Sequence, residues 1–378
     1  MNTPSIAAHL VCPLTHQRLQ VASLAEARTR ISAGAPLATR PPAPAAPPVG
    51  ETDPVLLRAD GKAAYPIVAG IPIVLAPEVL RRPGEAAAFD LAAPQYAEAY
   101  AEMEFYNATG FTEAAALRAS GSLRGVPGSE SLQHLERLRQ RTPEERGSFP
   151  QPPRMWVHSR LDLQSEWDCY QHMGAVKGQT VLQLGGSGRA VQALLLAGAA
   201  EALLLTPMIG EAQVATEVAR LLGVAERFRC LVAVAEEIPL AAASVDVAFS
   251  GGCVHHMRTE IAFPEIARVL RPGGRFAAIE PWRAPFYAIG TRLLGKREAN
   301  AFCRPLTRAR VAPLFASFAQ ARCSLHGTLT RYPMLGLQKF GLITPLDMAW
   351  RIGRADDALC SLLALRRFGS GVALLATK

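Results

Sequence analysis

The sequence has no pair of cysteines at metal-binding or redox spacing. Its seven cysteines, Cys12, Cys169, Cys230, Cys253, Cys303, Cys323 and Cys360, are dispersed and odd in number. That pattern argues against a disulfide framework and predicts a reducing, cytoplasmic setting. No apolar run approaches the roughly 18–20 residues that cross a bilayer, so neither a span nor a membrane partner is expected. The first residues lack a cationic segment followed by an unbroken apolar stretch, so no secretory leader is expected. Dense Lys/Arg blocks are missing too. The net charge of +8 is scattered along the chain, which reads as a solvated basic surface rather than a nucleic-acid track.

What is present is apolar. A 49% hydrophobic content over 378 residues allows a substantial core and more than one domain. Residues 1–80 read as a small β-rich domain. Its Pro/Ala-rich stretch at 33–54 cannot bury a core and should be a loop. Within this part, CPLTHQRL (12–19) followed by RADGKAAYPIVAGIPIVL (58–75) resembles the Trm112-like zinc-ribbon domain found beside some methyltransferases. Thr15 stands where a second cysteine would sit, and no cysteine lies near Leu57 or Arg58. Zinc needs about four N or S ligands, and Cys12, His9 and His16 are too few. The expectation is that fold without a metal.

Residues 81–173 read as a helical cap and connector, with helices over 84–108, 112–146 and 154–173. The aromatics Tyr96, Tyr100, Phe105 and Tyr106 recur at helical spacing, as core residues do, with Tyr100 and Tyr106 the ones to face a substrate. From 174 to 378 the pattern alternates strand and helix, which implies a parallel sheet covered on both faces. Strands are expected at 180–184, 202–206, 229–235, 245–250, 275–280, 321–328 and 371–377. Helices are expected over 188–199, 211–222, 260–270, 284–295 and 307–318. Arg271-Pro272-Gly273-Gly274 should end the helix at 260–270, because proline cannot continue a helix and glycine can take the left-handed cap.

Four segments stand at fixed distances: VLQLGGSGRA (181–190), LLLTPM (203–208), VAEEIPLAAASVDVAFSGGCVHHM (234–257) and EIARVLRPGGRFAAIEPW (265–282). Together they resemble the class I S-adenosylmethionine (SAM)-dependent methyltransferases, in the branch related to ubiquinone and sterol methyltransferases. The resemblance covers about residues 175–285. It implies an α/β, Rossmann-like sheet of order 3-2-1-4-5-7-6 with the seventh strand antiparallel. It also implies SAM as cofactor. Gln183, Gly185, Gly186, Ser187 and Gly188 would hold its amino-acid end. Thr206, Pro207 and Met208 would face the ribose, and Ala235 and Glu236 the adenine, with Ser250 and Gly251 closing the site.

The chain departs from that pattern at acidic positions. Gln183, Thr206 and Val234 stand where the family usually has acids, and Ser187 and Arg189 replace glycines. A carboxylate accepting two hydroxyl hydrogen bonds contributes on the order of 1.5–3 kcal/mol, so the losses need replacement. Glu236 and Glu237 are near enough to substitute, or to cap a helix instead.

Methyl transfer needs a nucleophile aligned with the sulfonium methyl and often a base. Residues just after the fourth strand sit there, which makes Cys253, His255 and His256 the catalytic candidates. No metal site is expected among them. Trp282, Arg283 and Arg304 are candidates for substrate contact, an arginine fork matching a carboxylate. The cap implies an enclosed pocket and hence a small-molecule acceptor. A homodimer is left open. Two rival readings remain: a methyltransferase-fold protein that no longer methylates, suggested by the lost acids, and an RNA-modifying enzyme, suggested by the basic charge and the Trm112-like start.

Overall fold

The computed structural model describes residues 10–13, 15–30, 50–74, 94–126, 129–147, 159–285, 287, 289 and 305–378, with backbone alone over 94–104. The expected loop at 33–49, the start of the first cap helix, most of the helix at 284–295, and Arg304 lie outside the described residues.

The amino-terminal part is a four-stranded antiparallel sheet of order β1-β2-β3-β4. Its elements are β1 (Leu19–Ser23), α1 (Leu24–Arg30), β2 (Pro54–Arg58), β3 (Ala64–Val68) and β4 (Ile71–Pro72). Cys12 is buried here against Tyr65 Oη at 3.4 Å and Arg58 Nη1 at 3.8 Å. Among the described residues no group of three or more His, Cys, Asp or Glu gathers to hold a metal. This sheet leans on the larger one. Ile73 bridges Val232 in parallel, Val74 N–H donates to Val232 O, and Val11 N–H donates to Pro239 O. The edge strand of the main sheet is thereby covered.

Helices follow: α2 (Pro94–Ser120), α3 (Glu130–Arg139), α4 (Pro143–Gly147) and α5 (Leu163–Met173). Three expectations shift, the first being that the helix expected over 112–146 is divided among the end of α2, α3 and α4. The first cap helix continues past 108, through Gly110, to Ser120, and Gly121, whose φ is +61°, ends it. The helix expected to run back to 154 begins at Leu163, after a turn closed by Asp162 N–H donating to Ser159 O.

The main domain runs β5 (Thr180–Leu184), α6 (Arg189–Leu196), β6 (Glu201–Thr206), α7 (Ile209–Leu222), β7 (Phe228–Val232), β8 (Val245–Gly251), α8 (Thr259–Val269) and β9 (Leu270–Pro281). It ends with α9 (Arg308–Ser317), β10 (Gln320–His326), α10 (Arg331–Lys339), α11 (Leu346–Leu362) and β11 (Gly371–Thr377). The seven strands lie in the order β10-β11-β9-β8-β5-β6-β7. Numbered within the domain, that is 3-2-1-4-5-7-6, with β11 antiparallel to both neighbours. This is the fold the sequence implied. Central β5 is buried on both faces, as a parallel strand flanked by helices must be. β9 is longer than expected. Arg271–Gly274 forms an irregularity in it, where pairing jumps from Val245–Leu270 to Val247–Arg275 and Gly273 takes φ +74°.

The cap helices are seated by close approach. Gly110 of α2 crosses Gly210 of α7 so tightly that a Cβ on Gly110 would lie 2.4 Å from the Gly210 carbonyl carbon. Asn107 Oδ1 accepts from Gly210 N–H at 3.0 Å, capping α7. Trp167 of α5 packs edge-on against Trp350 of α11, with centroids 5.9 Å apart.

His326, at the end of β10, joins three elements. Its ring meets Asp357 of α11 at 2.8 Å and Asp168 of α5 at 3.2 Å. Burial opposes its protonation, but the two carboxylates outweigh this and raise its pKa above 6.5. Burial likewise works against ionisation of Asp168, and the His326 hydrogen bond reverses the balance and lowers its pKa below 3.8. His326 therefore stabilises fully below pH 6.5 and loses that contribution as pH rises through its raised value. Asp168 stabilises above pH 3.8 and loses its share as pH falls through its lowered value. Thermal unfolding against pH should show both limbs. His326→Gln should flatten the upper one, and an unchanged alkaline limb would contradict the assignment.

Candidate functional site

The cleft lies beyond the carboxyl ends of β5, β6 and β8, where strand order reverses and open α/β sheets bind ligands. After Leu184 the chain turns through Gly185, Gly186 and Gly188, with φ of +76°, +72° and +76°. Side-chain-bearing residues resist that region. Gln183 pins the turn: its Nε2 donates to Gly185 O at 2.8 Å, and its Oε1 accepts from Val191 N–H at 3.1 Å. Both ends of its amide are thus used within the turn.

Arg189 opens α6 and holds the cap. It donates to Ser129 Oγ at 3.2 Å, to Glu113 Oε2 at 3.2 Å and to Ser131 Oγ. Helices α2 and α3 are thereby tied to the turn.

Thr206 ends β6 fully buried, and its hydroxyl donates to Glu211 Oε2 at 2.9 Å. Glu211 sits at the third residue of α7 and reaches back over one turn. The side chain of Glu211 from the following helix therefore lies at the end of the strand. Burial raises the Glu211 pKa, partly offset by Thr206 and the nearby Arg189.

A cavity of about 250 Å³ opens beside the turn, lined by Gln183, Gly186, Ser187, Arg189, Glu211, Gly251 and the cap residues Ser131, His134 and Tyr170, among others. Its floor is Tyr170 stacked on Phe249, centroids 6.0 Å apart, with Tyr170 Oη donating to Glu166 at 2.8 Å. His134 is 5% exposed, and its Nε2 has no hydrogen-bond partner. Burial brings its pKa down to about 4, so it is neutral at pH 7.

The loop after β8 is held from below. Glu280, 1% exposed, accepts from Cys253 N–H at 2.9 Å and Val254 N–H at 2.7 Å. Its second oxygen meets His255 Nδ1 at 2.8 Å and His255 N–H at 3.3 Å. That partner places the proton on Nδ1 when the ring is neutral. Arg310 of α9 donates to His255 O and Met257 O. The His255 and His256 rings lie 4.1 Å apart.

The residues expected from the sequence divide accordingly. Gln183, Gly186, Ser187 and Gly251 line the cavity. Gly188 instead packs α6 against β6 and α7, its missing Cβ position 3.1 Å from Leu204 and Ala215. Cys253 lies against Gly185, where a Cβ would come 2.5 Å from its Sγ, and burial drives its pKa well above the thiol range. His255 and His256 are not among the cavity-lining residues. Pro207 and Met208 are half-buried between β6 and α7, Met208 at the α7 N-cap. Ala235 and Ser250 are buried. Glu236 Oε1 accepts from Arg258 N–H at 2.7 Å, a cap for α8. Trp282 is a core residue, bridging Leu306, because its strand continues one residue past Pro281 into the sheet's apolar layer. Arg283 is exposed, and Tyr106 packs edge-on against Phe105. Tyr100 lies in α2, in the part described by backbone alone.

Residues 182–278 match the family model described as "Methyltransferase domain". The match contains the glycine turn, Glu211 and the loop after β8. A 59-residue stretch is 49% identical to the ubiquinone/menaquinone biosynthesis C-methyltransferase UbiE of Rubrivivax gelatinosus. It covers 14% of this chain and 24% of that protein, about a quarter of the relative's length. Among solved structures, geranyl diphosphate methyltransferase in complex with SAM aligns at 19% identity, over 68% of this chain and 94% of that one, with a TM-score of 0.42. The [4+2]-cyclase SpnF aligns at 18% identity, over 59% and 86%, with a TM-score of 0.40.

Proposed function

We propose that the chain is a SAM-dependent methyltransferase acting on a small molecule held between the cleft and the cap. The observation that carries this is that the glycine turn and the half-buried Glu211, both inside the methyltransferase-domain match, line one cavity together with residues of the cap. The residues present fit SAM. Gly186 leaves its backbone open, with Gln183 Nε2 at 3.4 Å the nearest group to a Cβ there. Glu211, beside Thr206, offers a carboxylate for ribose hydroxyls. The N-terminus of α6 and Ser187 offer donors for a carboxylate. Pro207, Met208, Ala235 and Glu236 would border the nucleoside, and Ser250 and Gly251 the reacting end. Bound SAM would supply a methyl group already activated on a sulfonium.

The chain's own task is then orientation and exclusion of water. The cavity is near the lower end of small-molecule pockets, roughly 300–1,000 Å³, and suits a compact acceptor or the reacting end of a larger one. Among the described residues, His134 Nε2 and Arg189 Nε are buried polar atoms of lining residues that have no hydrogen-bond partner. A base with a pKa of about 4 is too weak to carry a proton at neutral pH, so His134 orients the acceptor by hydrogen bonding. His255, fixed by Glu280, is the stronger candidate to receive a proton, with the His256 ring tilted against it. The amino-terminal sheet, in this reading, is the Trm112-like domain, with residues 81–173 the cap.

Incubation with methyl-labelled SAM and pooled small-molecule acceptors should transfer label, and His134→Ala should raise the acceptor KM about tenfold with little change in SAM affinity. Absence of transfer to any acceptor would favour the second reading, a fold that no longer methylates. The Cys253 thiol lying on Gly185 is the observation behind that alternative.

A further inference from the structure

Among the described residues, exposed large apolar side chains are concentrated between β10 and β11. Of the fourteen large apolar side chains exposed among the described residues, nine fall between 329 and 363. None of the residues of α10 is buried. Its end is not frayed. Leu342 N–H donates to Leu337 O and Gly341 N–H to Gln338 O, with Gly341 at φ +77°. These two bonds are a glycine-terminated helix stop, and they hold the following turn in one shape. That shape presents Phe340, Leu342 and Ile343, which are 83%, 61% and 65% exposed.

Helix α11 continues the surface. Ala349, Gly353, Asp356 and Cys360 face the protein, Gly353 directly against Gln164. Met348, Leu359 and Leu362 lie on another stripe at spacings of eleven and three, and all are exposed. An unpartnered apolar stripe running on from an apolar turn marks an interaction surface.

The surrounding charge selects the partner. Lys339, Arg351, Arg354 and Arg367 are exposed, against one exposed acid, Asp347. The other acids of the segment are engaged inward, Asp356 with Leu329 and Thr330 and Asp357 with His326. Arg354 lies over Trp350 at 5.8 Å and Arg367 over Phe368 at 4.9 Å. Apolar side chains in the middle, cations beside them and aromatic rings at the margin form the pattern of a segment seated at a lipid headgroup layer.

We propose that this face docks on the anionic surface of a lipid bilayer, with the Phe340–Ile343 turn entering the headgroup boundary. No spanning helix is needed, and among the described residues none is long and apolar enough to cross. A second copy of the chain fits less well, because the same cations would face one another across the contact. The proposal is independent of the reading of the cleft.

The test is co-sedimentation of the intact chain with vesicles of phosphatidylcholine alone and of phosphatidylcholine mixed with phosphatidylglycerol. Binding is expected to the mixed vesicles, weakening as salt rises. Phe340→Ser with Ile343→Ser should lower the bound fraction at least about tenfold at an unchanged thermal midpoint. Should that pair unfold, Lys339→Glu with Arg351→Glu replaces it and should give a comparable loss. A chain that stays in the supernatant with anionic vesicles overturns the proposal. So does equal binding to both vesicle types, or a dimer in light scattering that the Phe340 and Ile343 changes convert to monomer.

Discussion

Glu280→Ala should destabilise the protein by about 3–5 kcal/mol, the range for stripping one partner from a buried charged cluster. Glu280 is 1% exposed and answers three backbone N–H groups and the His255 ring. Removing the carboxylate leaves four donors, most of them part-buried, without this acceptor, and a buried unmet donor costs about 1–3 kcal/mol. The loss should appear in urea unfolding as a lower midpoint at unchanged slope. Glu280→Gln keeps the size and one acceptor oxygen, so it should cost less while freeing the His255 ring. A drop below about 1 kcal/mol for the alanine variant would show that the loop after β8 is held by other contacts.

The second large effect concerns the nucleoside. If Glu211 receives ribose hydroxyls, Glu211→Gln should weaken S-adenosylhomocysteine binding by about 10–100-fold, the equivalent of roughly 1.5–3 kcal/mol for a charge-assisted pair. The variant keeps the shape and can still accept from Thr206, so the helix should stay in place. A structural role alone is separated by the ligand. The wild-type chain should discriminate against the 2′-deoxy or 3′-deoxy form of S-adenosylhomocysteine, and Glu211→Gln should discriminate less. Equal loss for all forms would assign Glu211 to the fold rather than to the ribose.

The contrast between these residues shows what the sequence could carry. The covered parallel sheet followed from the alternation of short apolar runs with helices, the strand order from the resemblance of four segments to a known family, and the glycine turn from three glycines after a buried strand. These are local patterns, and the structure follows them down to the antiparallel β11. Glu211 was hidden because the expected acid belongs at the strand end, whereas here it comes from α7 and folds back onto Thr206. His134 fell within the helix expected over 112–146, where nothing in its spacing marked it. Only the seating of α3 on the glycine turn, through Arg189, brings it to the cavity. Arg189 itself read as a lost glycine, and the structure shows it tying the cap down. Trp282 was misplaced for the opposite reason: its position after a strand suggested a mouth, but pairing with Leu306 draws it into the core. Cross-element contacts of this kind leave no periodicity to read.

The most direct test of the account is calorimetric titration of the intact chain with S-adenosylhomocysteine. The glycine turn and the relocated carboxylate predict saturable, one-to-one binding with a dissociation constant in the micromolar range. No detectable binding at millimolar ligand would contradict it. The Cys253 thiol on Gly185 would then mark a closed cleft rather than a cofactor site.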